Sequence, residues 1–120
     1  MSSKHYKELI VWQKAMDLVE KVYLVTKSLP KDEIYGLTNQ LRRAAVSIPS
    51  NIAEGNTRHA TQDYVRFLNI ARGSVSEVET QLEICLRLGY ASKEQTEPAF
   101  ALCQEIGRML NAIIYKLATP

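Results

Sequence analysis

The sequence predicts an all-α fold: one domain over residues 1–120, built as an antiparallel up-down-up-down bundle of four helices, with helix two kinked at Pro49. Three observations predict it. Apolar residues recur at three- and four-residue steps along most of the chain, the spacing of one helical face. The apolar/polar alternation of a strand is found nowhere. The breaks between periodic stretches are short and carry helix stop and start signals, at Leu29-Pro30, Gly55-Asn56, Gly89 and Ser92-Lys93-Glu94-Gln95. The expected helices cover about 9–28, 33–56, 61–88 and 93–118.

The composition, 46% apolar and 23% charged, is that of a globular protein and argues against disorder. A chain of 120 residues can bury a core without staples. No apolar run approaches the ~18 residues that span a bilayer. The polar start, Met1 to Glu8, lacks an apolar signal core, so a cytoplasmic protein with no membrane role is expected.

The first few residues read as a flexible tail. In helix one, Val11, Trp12, Ala15, Leu18, Val19, Val22 and Tyr23 mark the apolar face, with Trp12 as a core anchor. Lys14, Asp17, Glu20 and Lys21 take the other face, and Asp17 and Lys21 stand at favourable i,i+4 spacing. Pro30 disfavours helix at Leu29 and ends it. Asp32 is placed to cap helix two, with Glu33 in its first turn. Leu37, Leu41, Ala44 or Ala45, Ile48 and Ile52 then keep helical phase across Pro49, which costs ~3 kcal/mol in a helix interior. That unbroken phase favours one kinked helix over two pieces, with Ser47, Ser50 and Asn51 placed to satisfy freed backbone groups. Gly55 and Asn56 read as left-handed terminators.

Thr61 is the expected cap of helix three, followed by acidic Asp63. Tyr64, Phe67 or Leu68, Ala71, Val75, Val78, Leu82 and Cys85 form a heptad-like seam. A helix of that length is roughly 40 Å long and implies an elongated bundle. Gly73 interrupts it beside Ser74, a pairing that lets another backbone come close. Ser92 and Gln95 form a capping box for helix four, whose face carries Cys103, Ile106, Leu110, Ile113 or Ile114, and Leu117. Pro98 sits late for a first turn and pulls the regular helix towards residue 97. The small residues Ala44, Ala45, Ser47, Ala53, Ala71, Gly73 and Ser74 suit either tight packing inside the bundle or a homo-oligomer interface.

No catalytic constellation is visible, and the protein is not expected to be an enzyme. The five glycines are scattered rather than gathered in a phosphate loop. There is no Glu-x-x-His pair for a di-iron bundle. His5 and His59 are isolated, so no metal or other cofactor is expected. Cys85 and Cys103 fall in apolar helical patterns and read as reduced, buried thiols. Glu77, Glu79 and Glu83 read as a solvated flank, with Glu83 and Arg87 as an ordinary surface pair.

Charge is more informative. The net charge is only +2. Residues 1–73 carry 11 Lys and Arg against 7 Asp and Glu, whereas residues 74–120 carry 4 against 6. The basic excess points to an anionic partner. The candidate nucleic-acid-binding residues are Arg42, Arg43, Arg58, Arg66 and Arg72, because a guanidinium makes paired hydrogen bonds to phosphate. In an antiparallel hairpin Arg58 and Arg66 lie near the turn and the other three nearer the middle. Glu54 and Asp63 are close enough in sequence to pair with some of them. Tyr35 and Tyr64 read as core or interface residues that could also stack on bases.

Several stretches carry a family resemblance: Val11-Trp12-Gln13-Lys14-Ala15; the run from Tyr35 through Leu41-Arg42-Arg43-Ala44-Ala45-Val46-Ser47-Ile48-Pro49-Ser50-Asn51-Ile52-Ala53-Glu54-Gly55; Phe67-Leu68 through Ala71-Arg72-Gly73-Ser74; Glu77 to Leu82; and Leu88-Gly89-Tyr90. Together they resemble the four-helix bundle proteins encoded in bacterial 23S rRNA intervening sequences. The resemblance implies an antiparallel four-helix bundle that assembles as a ring-like homopentamer. It also implies similarity to the accessory protein of diversity-generating retroelements, a basic bundle that binds nucleic acid and a reverse transcriptase. It implies no enzymatic activity.

The leading expectation is a non-enzymatic homo-oligomeric bundle that binds RNA or DNA through an arginine face, with salt-dependent affinity. The alternative is a scaffold whose small-residue face docks a partner protein's helix, with no nucleic-acid role. A third class is a small-molecule binder in a ring cavity.

Overall fold

Apolar stripes at helical spacing are buried by packing helix on helix. The computed structural model describes residues 5–119, in which four α-helices follow one another: α1 Ile10–Thr26, α2 Leu37–Asn56, α3 Thr61–Arg87 and α4 Lys93–Ala118. No strand occurs among the described residues. Each helix packs on two neighbours and α4 closes back on α1, while the backbones of the diagonal pairs stay apart among the described residues. The bundle is elongated, 48 × 23 × 20 Å, as the long third helix requires.

The seam residues meet in one core. Leu18 and Val22 of α1, Leu41, Ile48 and Ile52 of α2, Leu68, Val78 and Leu82 of α3, and Ile106 and Leu110 of α4 are fully buried. Each such side chain contributes roughly 1.5–3 kcal/mol of burial. Both cysteines are free and buried among them. Trp12 is only half-buried on the rim, where Tyr6 meets it edge-on at 5.5 Å. Lys14 reaches Glu105 of α4 at 3.4 Å, whereas Asp17 and Lys21 form no ion pair among the described residues.

The start of the chain is partly structured. The expected tail lies outside the described residues at positions 1–4. From His5 onward the chain makes a 3-10 turn, Tyr6–Glu8, in which the Glu8 carboxylate accepts the His5 N–H.

The structure corrects several helix ends. Helix two starts at Leu37, four residues later than expected, after a separate 3-10 turn at Lys31–Glu33. Asp32 does not cap it. Glu33 does so from four residues upstream: its Oε1 accepts the Leu37 N–H at 3.1 Å, and its Oε2 accepts the Tyr90 hydroxyl at 3.1 Å. One carboxylate thereby ties the connection before α2 to the one after α3. The same hydrogen bond raises the Tyr90 phenol above its ordinary value, because it holds the hydroxyl proton. Thr61 is the first residue of α3 rather than its cap, and Ala60 before it offers no side-chain oxygen. Helix four begins at Lys93, with Ser92 and Gln95 making the reciprocal capping box, and absorbs Pro98 within its length.

Two glycines have different jobs. Gly89 takes φ +72° and ends α3, with the Tyr90 N–H donating back to the Cys85 carbonyl at 2.9 Å. Gly55 is not a left-handed terminator; it is a buried residue inside α2. A Cβ there would stand 2.8 Å from Phe67 Cβ and 2.9 Å from Tyr64 Cδ1. Its role is to let α2 and α3 close on each other. At the far end of that contact Ser47 and Ser74 share a hydroxyl hydrogen bond of 2.9 Å. Residue numbers fall along α2 as they rise along α3, so these two helices run in opposite directions.

α2 is continuous through Pro49, which is itself buried. Asn51 donates to the Ser47 carbonyl at 2.8 Å and to its hydroxyl at 2.9 Å, while Ser50 faces solvent. The polar residues around the proline therefore form one small network that reaches α3.

Candidate nucleic-acid interface

The five arginines proposed from sequence occupy three separate places. Arg42 and Arg43 are adjacent on α2, so their side chains leave the helix about 100° apart. Arg42 turns towards α1. Its Nε donates to Thr26 Oγ1 at 2.8 Å, and its guanidinium lies 4.4 Å from the centre of the Tyr23 ring. Thr26 in turn donates to the Tyr23 carbonyl. The stem of Arg42 is thus fixed by α1, while its terminal nitrogens have no hydrogen-bond partner among the described residues. Arg43 is exposed. Neither arginine has a carboxylate within 4 Å among the described residues.

Arg58 and Arg66 sit together at the opposite end of α2, both stacked on one ring. Their guanidiniums stand 4.9 and 4.5 Å from the centre of Phe67. Both are paired: Arg58 with Glu54 at 2.6 Å and Arg66 with Asp63 at 3.7 Å. Their charge is therefore locally offset, although exposed pairs of this kind hold only ~0.2–1 kcal/mol and can be exchanged for a phosphate.

Arg72 faces neither group. It bridges to α4, donating to Asn111 Oδ1 at 2.9 Å and to Asn69 Oδ1 at 2.5 Å. Both partners are neutral, so its charge is retained. Arg108 of α4 lines the same shallow depression. Arg108 was not singled out from sequence; it is i,i+3 from Asn111, a spacing that joins it to the Arg72 site once α3 and α4 are paired.

Arg42 and Arg43 line the largest groove described, about 830 Å³, which runs over α2 from Tyr23 of α1 to Glu77 and Gln81 of α3. Two acceptors form its α3 wall. Glu77 is exposed and makes no ion pair among the described residues. Gln81 carries the one side-chain oxygen found buried without a donor among the described residues. Sequence reading placed Glu77 on a solvated flank and passed over Gln81. The signal lay in the register: seven residues up α3 from Ser74 is Gln81, and seven back along α2 from Ser47 is Gln40, which also lines the groove.

Apolar residues also remain uncovered. Tyr35 is 92% exposed, so it is no core residue, whereas Tyr64 packs against the core. Ile70 and Ile84 of α3 are 43% and 39% exposed. Gly73 lies between them, and a Cβ there would meet nothing within 4 Å.

The thiols are poor nucleophiles. Burial first, and then the Glu79 carboxylate, push Cys103 up to about 12. Burial and then Glu33 raise Cys85. No group of three His, Cys, Asp or Glu residues able to hold a metal occurs among the described residues. No described helix is long and apolar enough to cross a membrane.

The family model of the 23S rRNA-intervening sequence protein matches residues 7–112. The chain is also similar to a crystal structure of a protein of unknown function from the S23 ribosomal protein family of Bacteroides thetaiotaomicron VPI-5482. The two are 28% identical and superpose with a TM-score of 0.81, over 88% of this chain and 98% of that one. No curated protein matches. The chain belongs to the 23S rRNA-intervening sequence protein family.

Proposed function

We propose that this member of the family is a non-enzymatic bundle that binds RNA or DNA and assembles with copies of itself. One observation carries the reading. Arg42 and Arg43 present two guanidiniums beside an open groove, neither in an ion pair among the described residues, and Arg42 is held in place by Thr26 and Tyr23. A pre-positioned guanidinium with free terminal N–H groups is a phosphate ligand that loses little side-chain entropy on binding. Arg72 adds an unneutralised charge on another face. Arg58 and Arg66 contribute only as far as phosphate displaces Glu54 and Asp63.

Self-assembly is supported by Ile70 and Ile84, two exposed apolar side chains of α3, and by the open space over Gly73. The ring-like homopentamer is the assembly that the family resemblance implies. A ring would repeat the Arg42–Arg43 pair around its circumference and multiply the phosphates neutralised.

The test is an RNA shift assay at two salt concentrations, with light scattering to fix the assembly state. Arg42→Gln with Arg43→Gln should weaken the shift strongly at low salt, while Arg58→Gln with Arg66→Gln weakens it less. Unchanged binding by the Arg42/Arg43 variant would sink the reading. Capture of a protein, insensitive to salt and without any RNA shift, would favour the scaffold.

A further inference from the structure

We infer that the groove beside Arg42 and Arg43 takes a nucleotide of an unpaired strand, and that Glu77 and Gln81 read the amino edge of its base. This rests on the nucleic-acid reading above and narrows it to single strands and to particular bases.

The two walls of the groove are complementary in what they lack. On the α2 side stand guanidinium donors without an anion. On the α3 side stand two acceptors without donors, the Glu77 carboxylate and the shut-off Gln81 Oε1. They are i,i+4 on α3 and share a face. A buried acceptor without a donor is costly unless something supplies one. The last torsion of glutamine turns at little cost, so Oε1 can meet a donor that enters the groove.

A ligand for this site needs an anionic end and a donor end, and the donor end must be neutral. A lysine or arginine from a protein would satisfy Glu77 but would be repelled by Arg42 and Arg43. A bare phosphate would satisfy the arginines and be repelled by Glu77. A nucleotide meets both demands: its phosphate is anionic and its base offers uncharged amino hydrogens. Adenine, cytosine and guanine carry an exocyclic amine, whereas uracil does not. In a duplex those edges are paired or lie in grooves, so unpaired bases are the ones that can be turned into a cleft. The volume, about 830 Å³, lies within the ~300–1,000 Å³ of clefts that hold small organic groups.

The test is fluorescence anisotropy at low salt with labelled oligo(A), oligo(C) and oligo(U) and a duplex of matched length. The proteins are the parent chain, Gln81→Met and Glu77→Ala, each checked by thermal melting. Oligo(A) and oligo(C) should bind the parent about tenfold tighter than oligo(U). Each variant should bring that ratio towards one without lowering the melting temperature. Equal binding of the three strands, a ratio unmoved by either variant, or a preference for the duplex overturns the inference and leaves the arginine reading standing. Displacement of oligo(A) by free AMP at equal nucleotide concentration overturns the strand in favour of a free nucleotide. Capture of an Arg-rich peptide, lost in Glu77→Ala, overturns it in favour of a protein. No binding of any strand or duplex by the parent removes both readings together.

Discussion

Replacing Gly55 by alanine forces a methyl group into the contact between α2 and α3. In an exposed helix the same change gains about 1 kcal/mol, because alanine is the better helix former. Here the new Cβ would lie 2.8 Å from Phe67 Cβ, 2.9 Å from Tyr64 Cδ1 and 3.2 Å from the Tyr64 carbonyl oxygen. A Cβ and a carbonyl oxygen move only with the backbone of α3, so the helices must part. Overpacking of this kind costs roughly 1–3 kcal/mol, and the helix-forming gain offsets part of it. Gly55→Ala should therefore lose up to about 2 kcal/mol net, instead of gaining stability. The assay is urea unfolding followed by circular dichroism, at fixed protein concentration because assembly would add its own stability. The midpoint should fall with the slope unchanged. Gly73→Ala is the internal control: with nothing within 4 Å in its own chain, it should gain about 0.5–1 kcal/mol within the subunit. If Gly55→Ala is as stable as the parent, the close approach of α2 to α3 is not what requires glycine there.

Two further predictions concern other parts of the bundle. Glu33→Ala leaves the Leu37 N–H and the Tyr90 hydroxyl without their shared partner, and should cost about 1–2 kcal/mol by analogy with the loss of a helix cap. Glu33→Gln, which keeps an acceptor for Leu37, should lose less in the same unfolding measurement. Cys103 has its value raised from 9.0 to about 12, so the folded state holds this proton more tightly than the unfolded state. Its stabilising contribution is complete below pH 9 and drains away as pH rises towards 12, by on the order of 4 kcal/mol for three units. Unfolding free energies of the parent and Cys103→Ala across that window should converge at the alkaline end. A constant difference between them would contradict the assignment.

The helices were legible because their apolar spacing is a local property. The seam from Leu68 to Cys85 and the Ser92–Gln95 capping box are found as read. The misread ends involve partners at a distance. Asp32 is followed by a helix-like acidic residue and looks like a cap, but Glu33 does the capping by reaching past Gly36, and its other oxygen answers Tyr90 more than fifty residues away. Gly55-Asn56 has the composition of a helix stop, yet Gly55 is demanded by Tyr64 and Phe67 across the hairpin. No local pattern shows that.

The candidate site was legible in type and not in layout. The pairing of Arg58 with Glu54 and of Arg66 with Asp63 follows from short spacing along the chain. Which face each arginine takes depends on how the helices are rotated in the bundle, which is why Arg72 goes to α4 while Arg42 turns to α1. Glu77 and Gln81 become part of a groove only through the antiparallel register that pairs Ser47 with Ser74.

The salt dependence of RNA affinity tests the central claim most directly. The account predicts that log affinity falls linearly with log salt for the parent chain. It predicts a slope shallower by at least about 1.4 for Arg42→Gln with Arg43→Gln, since each lost phosphate contact removes ~0.7 for a single strand. A variant with the parent's slope and the parent's affinity would contradict it.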